Sequence, residues 1–230
     1  MAIDLDAELN SPRGAIVLAG GDATGLRTPE PASNRDVPIQ FCAPTGDETM
    51  LEQTLRRAAI SIPPLRTLTV LNRKHAAFYA PLGASIPTRN LVVQPSNCGT
   101  AGAILYGLFR LAAHEQVASV AILPSDHCLS DERQFMRHVN IAFAAVEARP
   151  ELTVILGMAA LGPESGYGWI EPGDRIAAGE TEVRAVRRFV EKPCFADAVD
   201  LMRGGALWSS MVVVARVSTL LGSIMIAEPD

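Results

Sequence analysis

The sequence predicts an α/β fold, a mixed and mostly parallel sheet with helices on both faces, over a chain of 230 residues. Short β-branched apolar runs alternate with longer stretches of helical periodicity, the pattern of a sheet built by crossovers. Those runs are apolar throughout rather than alternating, as strands covered on both faces are. With 48% hydrophobic and 20% charged residues the composition is that of a folded chain, and at this length it buries roughly 70% of its extended surface. One domain spanning 1–230 is the expectation, since no repeat, low-complexity tract or linker interrupts the sequence.

The elements follow in order. Residues 15–19 form the first run. Thr49-Met-Leu-Glu52 has capping-box spacing and opens a helix to about Ile60. Residues 67–71 and 91–93 are the second and third runs, after which Thr100 is expected to cap a helix reaching about His114. Residues 120–123 form the fourth run. Ser130 is expected to start the next helix, where Phe135, Val139, Ala142 and Val146 make one core-facing stripe before Pro150 stops it. The fifth run is 152–156, and all five runs read as buried parallel strands. Beyond residue 157 the rhythm changes to strands at 167–171, 183–190 and 210–216 with one helix, Phe195–Arg203, so a mixed region is expected there.

Charge and cysteine usage remove several function classes. With 20 Lys+Arg against 25 Asp+Glu the net charge is -5, which argues against a nucleic-acid partner. No apolar run is long enough to span a bilayer, and Asp4, Asp6 and Glu8 stand where a signal peptide carries bases, so a cytoplasmic protein is expected. Cys42, Cys98, Cys128 and Cys194 lack metal or redox spacing and read as reduced thiols.

In open α/β sheets ligands sit beyond the carboxyl ends of strands. The first run ends in Leu18-Ala-Gly-Gly-Asp-Ala-Thr-Gly25, whose glycines let backbone N–H groups approach phosphate oxygens; a plain strand-to-loop turn is the alternative. Leu26-Arg27 stands where a Walker A loop needs Lys-Ser/Thr, and Asp22 occupies the second glycine of a dinucleotide fingerprint, so both motifs fail. The fourth run ends in Leu123-Pro-Ser-Asp126-His127. A carboxylate there can hold Mg²⁺ against substrate phosphates, or serve as a turn residue or helix cap; His127 reads equally as a hydrogen-bonded turn histidine.

Together these pieces resemble the sugar-phosphate nucleotidyltransferases, most closely the mannose-1-phosphate guanylyltransferases. The resemblance runs from about Arg13 to Arg216 through seven segments in order: Val17-Leu-Ala-Gly-Gly21; Pro38-Ile-Gln-Phe41 with Leu51-Glu-Gln-Thr54; Gln94-Pro-Ser-Asn-Cys-Gly-Thr-Ala101; Pro124-Ser-Asp-His127; Gly166-Tyr-Gly-Trp-Ile-Glu171; Phe189-Val-Glu-Lys-Pro193; and Leu207-Trp-Ser-Ser210. It implies a Rossmann-like nucleotidyltransferase fold. It also implies that Leu18, Ala19, Gly20 and Gly21 hold nucleotide phosphates, that Gln94, Gly99 and Thr100 sit near the base with Ser125 in the same site, and that Asp126 binds Mg²⁺. Tyr167, Gly168, Glu191 and Ser209 would bind the sugar and Lys192 its phosphate, so Asp126 and Lys192 are the expected catalytic residues. By themselves Tyr167 and Trp169 read as a half-buried strand face and Glu191-Lys192 as a solvated charge pair.

The implied reaction joins a sugar 1-phosphate (mannose 1-phosphate) to a nucleoside triphosphate (GTP), giving nucleotide-sugar and pyrophosphate. The sequence departs from the family pattern in several places. The loop pattern Gly-x-Gly-Thr-Arg is here Gly21, Asp22, Ala23, Thr24 and Gly25, with Arg27 two residues late. Ile39 replaces a lysine expected near the phosphates, and Ser209 an asparagine after Trp208. Longer relatives carry a second acidic metal ligand and a β domain beyond Asp230, and the apolar stretch 220–227 reads as a broken core element. The expectation is therefore an enzyme of weakened turnover. The alternative is a non-catalytic nucleotide or sugar-phosphate binding protein; a structural subunit with a vestigial pocket fits least, because polar residues persist at so many strand ends. Base, sugar and oligomeric state are not legible in the sequence.

Overall fold

The computed structural model describes residues 13–22, 37–44, 46–84, 86–113 and 118–227. Their strands are β1 (Arg13–Ala19), β2 (Thr67–Asn72), β3 (Leu91–Gln94), β4 (Ser119–Pro124), β5 (Thr153–Ala159), β6 (Gly168–Ala178), β7 (Thr181–Glu191) and β8 (Leu207–Arg216). The helices are α1 (Met50–Ala58), the short α2 (Ala76–Tyr79), α3 (Gly99–Ala112), α4 (Glu132–Ala148), α5 (Phe195–Arg203) and α6 (Val217–Ala227).

All eight strands belong to one sheet of order β3-β2-β1-β4-β8-β6-β7, with β5 also paired to β8. β3, β2, β1 and β4 are mutually parallel; β8 is antiparallel to β4, β5 and β6, and β6 to β7. Alternate residues of β1 enter opposite layers, as the period of two requires. Ala15, Val17 and Ala19 join Leu51 and Ala58 of α1 and Met136, Val139, Ala142, Phe143 and Val146 of α4. Ile16 instead packs with Leu68, Val70 and Val92, with Ala103, Leu108 and Leu111 of α3, and with Val217, Leu220, Leu221 and Ile224 of α6. Both faces of the parallel half are thus covered. Each buried side chain of valine size or larger contributes about 1.5–3 kcal/mol, which explains why uniformly apolar runs become strands here.

Three expectations need correction. Residues 152–156 do not give a buried strand in the parallel half: β5 starts at Thr153, pairs with β8 and leaves much of its length exposed. Thr100 does not cap α3; it is the second helical residue, after Gly99, whose φ of 74° makes the turn into the helix. The N-cap is Cys98, whose side chain makes no cap hydrogen bond; one residue earlier, Asn97 Oδ1 accepts from Gly99 N at 2.9 Å and holds the entry to the helix. Asp131, not Ser130, caps α4, its Oδ1 accepting from Gln134 N at 2.8 Å. The apolar 220–227 segment is helical; Leu220, Leu221 and Ile224 pack partly on the α3 face of the sheet, and Met225 and Ile226 are exposed. The end foreseen near His114 lies outside the described residues. The capping box of α1 is present with both hydrogen bonds, worth about 1 kcal/mol to the helix start, and all four thiols are free. Among the described residues no helix is long and apolar enough to cross a membrane.

The chain runs from β1 outward to β2 and β3, then returns to place β4 on the other flank of β1. This reversal opens a crevice at the carboxyl ends of β1 and β4, where α/β sheets receive ligands.

Candidate active site

A cavity of about 670 Å³ occupies that crevice. Leu18, Gly20, Gly21, Gln94, Gly99, Thr100, Ser125, Asp126, Tyr167, Gly168, Glu191, Lys192 and Ser209 all line it, brought from the ends of six strands over nearly two hundred residues of chain. Ala19 does not; its side chain is buried in the core, and its carbonyl serves as an anchor instead. Ala23, Thr24, Gly25 and Arg27 lie outside the described residues.

The loop after β1 is held by side chains that the fold brings to it. Gln40 Nε2 donates to Ala19 O at 3.0 Å and to Gly21 O at 2.9 Å, and Ser125 Oγ donates to Leu18 O at 2.6 Å. The carbonyls thus turn inward on partners. Asp22 next in the loop accepts from Asn97 Nδ2 at 3.0 Å on one oxygen, and on the other meets His75 Nε2 at 3.0 Å and Lys74 Nζ at 3.8 Å. A carboxylate only accepts, so His75 donates from Nε2, which leaves its buried Nδ1 as an unpartnered acceptor. The Asn97 hydrogen bond, helped by the Lys74 ammonium and the His75 N–H, holds the Asp22 carboxyl below its usual range, against the opposing effect of burial. Since Asn97 also positions Gly99 N, one polar chain links the ends of β1, β2 and β3 to the start of α3.

Asp126 follows β4 and is half exposed in the crevice. His127 Nε2 lies 3.9 Å from Asp126 Oδ1; burial pushes the imidazole below its usual pKa, Asp126 opposes the shift, and the buried Arg57 guanidinium adds to it. Among the described residues no three acidic, His or Cys side chains cluster to hold a metal ion. One strand-end carboxylate still fits Mg²⁺, which keeps most of its shell as water and substrate phosphate.

The other wall comes from the antiparallel half. Gly168 pairs with Glu191, and a Cβ on it would fall 2.9 Å from Glu191 Oε2 and 2.7 Å from Phe189 Cζ, so a larger residue there would displace both side-chain ends. Lys192 N donates to Tyr167 O at 3.2 Å, and Lys192 Nζ lies 3.6 Å from Glu191 Oε1. The Tyr167 ring meets Trp208 edge to face at 5.1 Å, while buried Trp169 donates from Nε1 to Glu164 O at 2.8 Å. Ile39, Met158 and Met211 supply apolar lining.

Sequence reasoning passes over Gln40, His75 and the Asp22–Asn97 link. Gln40 and Asn97 lie inside the segments that carry the resemblance, and an amide beside a glycine loop is the signal that finds them. His75 carries no local signal, because its partner lies 53 residues away.

Comparison with known proteins gives a consistent result. A family model described as nucleotidyl transferase matches residues 14–223. The alginate biosynthesis protein AlgA of Pseudomonas aeruginosa is 31% identical over 218 residues, covering 94% of this chain and 44% of that protein. The mannose-1-phosphate guanylyltransferase of Escherichia coli K12 is 30% identical over 222 residues, covering 94% of this chain and 45% of its own length. The chain therefore spans less than half the length of these relatives. A crystal structure from Thermus thermophilus, described as a mannose-1-phosphate geranyltransferase, superposes with a TM-score of 0.79 at 31% identity, covering 94% of this chain and 60% of that one.

Proposed function

The chain belongs to the nucleotidyl transferase family, and from that premise we propose that it joins a sugar 1-phosphate to a nucleoside triphosphate, with mannose 1-phosphate and GTP as the pair. The observation that carries this reading is the meeting, in one cavity at the sheet's reversal point, of a glycine loop, a strand-end carboxylate and an acid–lysine pair. The relative from E. coli named a mannose-1-phosphate guanylyltransferase supports the choice of pair.

In this mechanism the backbone N–H groups around Gly20 and Gly21 face the triphosphate, while Gln94 and Thr100 offer donors and acceptors to the base. Lys192 pairs with the sugar phosphate, and Glu191 accepts from sugar hydroxyls. A phosphate oxygen of the sugar 1-phosphate attacks the α-phosphorus in line; the bond from that phosphorus to the bridging oxygen breaks, and pyrophosphate leaves with its electron pair. Positioning and charge neutralisation supply nearly all the catalysis, and no covalent protein intermediate is needed. Asp126 would hold Mg²⁺, whose chemistry when bound is to neutralise phosphate charge.

Purified protein with Mg²⁺, each nucleoside triphosphate and either mannose 1-phosphate or glucose 1-phosphate tests this by pyrophosphate release. Release is expected only with both substrates present and to be fastest with GTP and mannose 1-phosphate; none with any pair, while ligands still bind, would establish the second reading, a binding protein without turnover. The apolar Ile39 on the cavity wall is the observation favouring that alternative.

A further inference from the structure

Among the described residues, two non-glycines hold a left-handed backbone, Lys192 at φ 45° and Met211 at φ 57°, and both line the large cavity. They flank β6. Lys192 follows β7, bonded to one edge of that strand, and Met211 lies in β8, bonded to the other. Such a conformation is unfavourable for a residue with a Cβ, and it persists where surrounding contacts over-determine it, most often at ligand sites.

Those contacts are visible around Met211. Trp208 pairs with Trp169 of β6 on one side of it, and Val213 pairs with Ile122 of β4 on the other. Between these anchors Ser210 Oγ donates to Leu156 O at 2.6 Å, and Met211 N donates to Ser209 Oγ at 3.3 Å. The strand continues here, but its register against β5 shifts between the Gly157–Ser209 and Ile155–Val213 pairs while its other edge passes from β6 to β4, and in that irregularity a long thioether side chain, 44% exposed, joins Met158 of β5 on the cavity wall. A thioether donates no hydrogen bond and accepts only weakly, so a sugar hydroxyl placed against it leaves water without gaining a partner. The neighbouring Ser209 hydroxyl accepts from Met211 N and keeps its own O–H to donate, so the apolar contact is confined to the thioether.

We infer that Met211 determines sugar specificity: it closes the sugar end of the cavity with a surface that disfavours a hydroxyl, so a sugar 1-phosphate lacking the hydroxyl at that place binds better than its fully hydroxylated parent. The inference rests on reading the cavity as a sugar 1-phosphate site. Met211→Ala removes the thioether and keeps the backbone strain; Met211→Gly removes both. Calorimetric titration of the full chain and both variants with mannose 1-phosphate and its 2-, 3-, 4- and 6-deoxy analogues is the test. Wild type is expected to bind at least one analogue fivefold or more tighter than mannose 1-phosphate, both variants to bring that ratio near one, and Met211→Gly to melt above Met211→Ala. An unchanged ratio in both variants, or a wild type that shows no such preference, overturns the role of Met211. If none of the three proteins binds any of these compounds, the sugar 1-phosphate reading falls with it.

Discussion

Asp126 and Lys192 sit on opposite sources of chain, one after a parallel strand and one after an antiparallel strand, and their proposed tasks are separable. Asp126→Asn removes a charge with little volume and is expected to weaken Mg²⁺-dependent GTP binding while leaving mannose 1-phosphate binding intact. Lys192→Ala is expected to do the reverse, since a lysine serves a phosphate as a point charge. Titrating each ligand separately checks both, and parallel losses would show that the two residues do not divide the substrates. Asp22 gives a pH prediction. Its folded pKa lies below the ordinary 3.8, so its carboxylate stabilises the fold at neutral pH, and that contribution is lost as pH falls below 3.8 through the folded value. Thermal melts should therefore show wild type losing its advantage over Asp22→Asn in that acid range and keeping it at pH 7. The strand-end residues are legible in sequence because each directly follows an apolar run. Asp22 is legible only as a departure from a pattern, since the partners that explain it come from two other strand ends.

Elements are legible where local and tertiary signals agree. The α1 capping box and the α5 span, Phe195–Arg203, appear as read, because each is stated within a few neighbouring residues. The starts of α3 and α4 shift because the left-handed Gly99, held by Asn97, begins α3 one residue before Thr100, and because Asp131 rather than Ser130 caps α4. β5 is misplaced by its sequence because an apolar run states that a segment pairs, not with what. The contact of α3 with β1 is close: a Cβ on Gly107 would fall 2.8 Å from Ile16 Cδ1 and 2.9 Å from Ile16 Cγ2. Overpacking costs about 1–3 kcal/mol and exceeds the gain in helix propensity, up to about 1 kcal/mol. Gly107→Ala is expected to lower the melting temperature by about 2–8 °C, as measured by calorimetry; an unchanged or raised value would show that α3 moves off β1 freely.

At the scale of the whole molecule, the alternation of runs and helices is sufficient for the parallel half, and the resemblance is needed to bring the second half to the same cavity. No periodicity states that β8 inserts between β4 and β6. The two replaced cations have a consequence for the assembled site. Removing one preorganised charge from a developing anion typically costs roughly 10²–10³ in rate, so the combined substitution Gly25→Arg, Ile39→Lys is expected to raise pyrophosphate release at least tenfold. Ile39 lines the cavity, and position 25 lies outside the described residues. Comparing the double variant with wild type, each with and without Ala23→Gly, checks it; fast release by wild type would show that other groups already supply the charge.

β8 joins the two halves, and it is also the last strand of the described chain to be synthesised. Arg216 meets Ser119 only after about a hundred intervening residues have been made, a separation that makes this pairing slow and late. On the ribosome, β1 to β4 have their pairing partners early, and β6 and β7 form a local hairpin. The cavity wall carrying Ser209, Ser210 and Met211 has no place to lie until β8 threads between them. A nascent chain therefore holds its glycine-loop side well before its Lys192 side is brought opposite, and a ligand bridging both sides stabilises only the finished sheet.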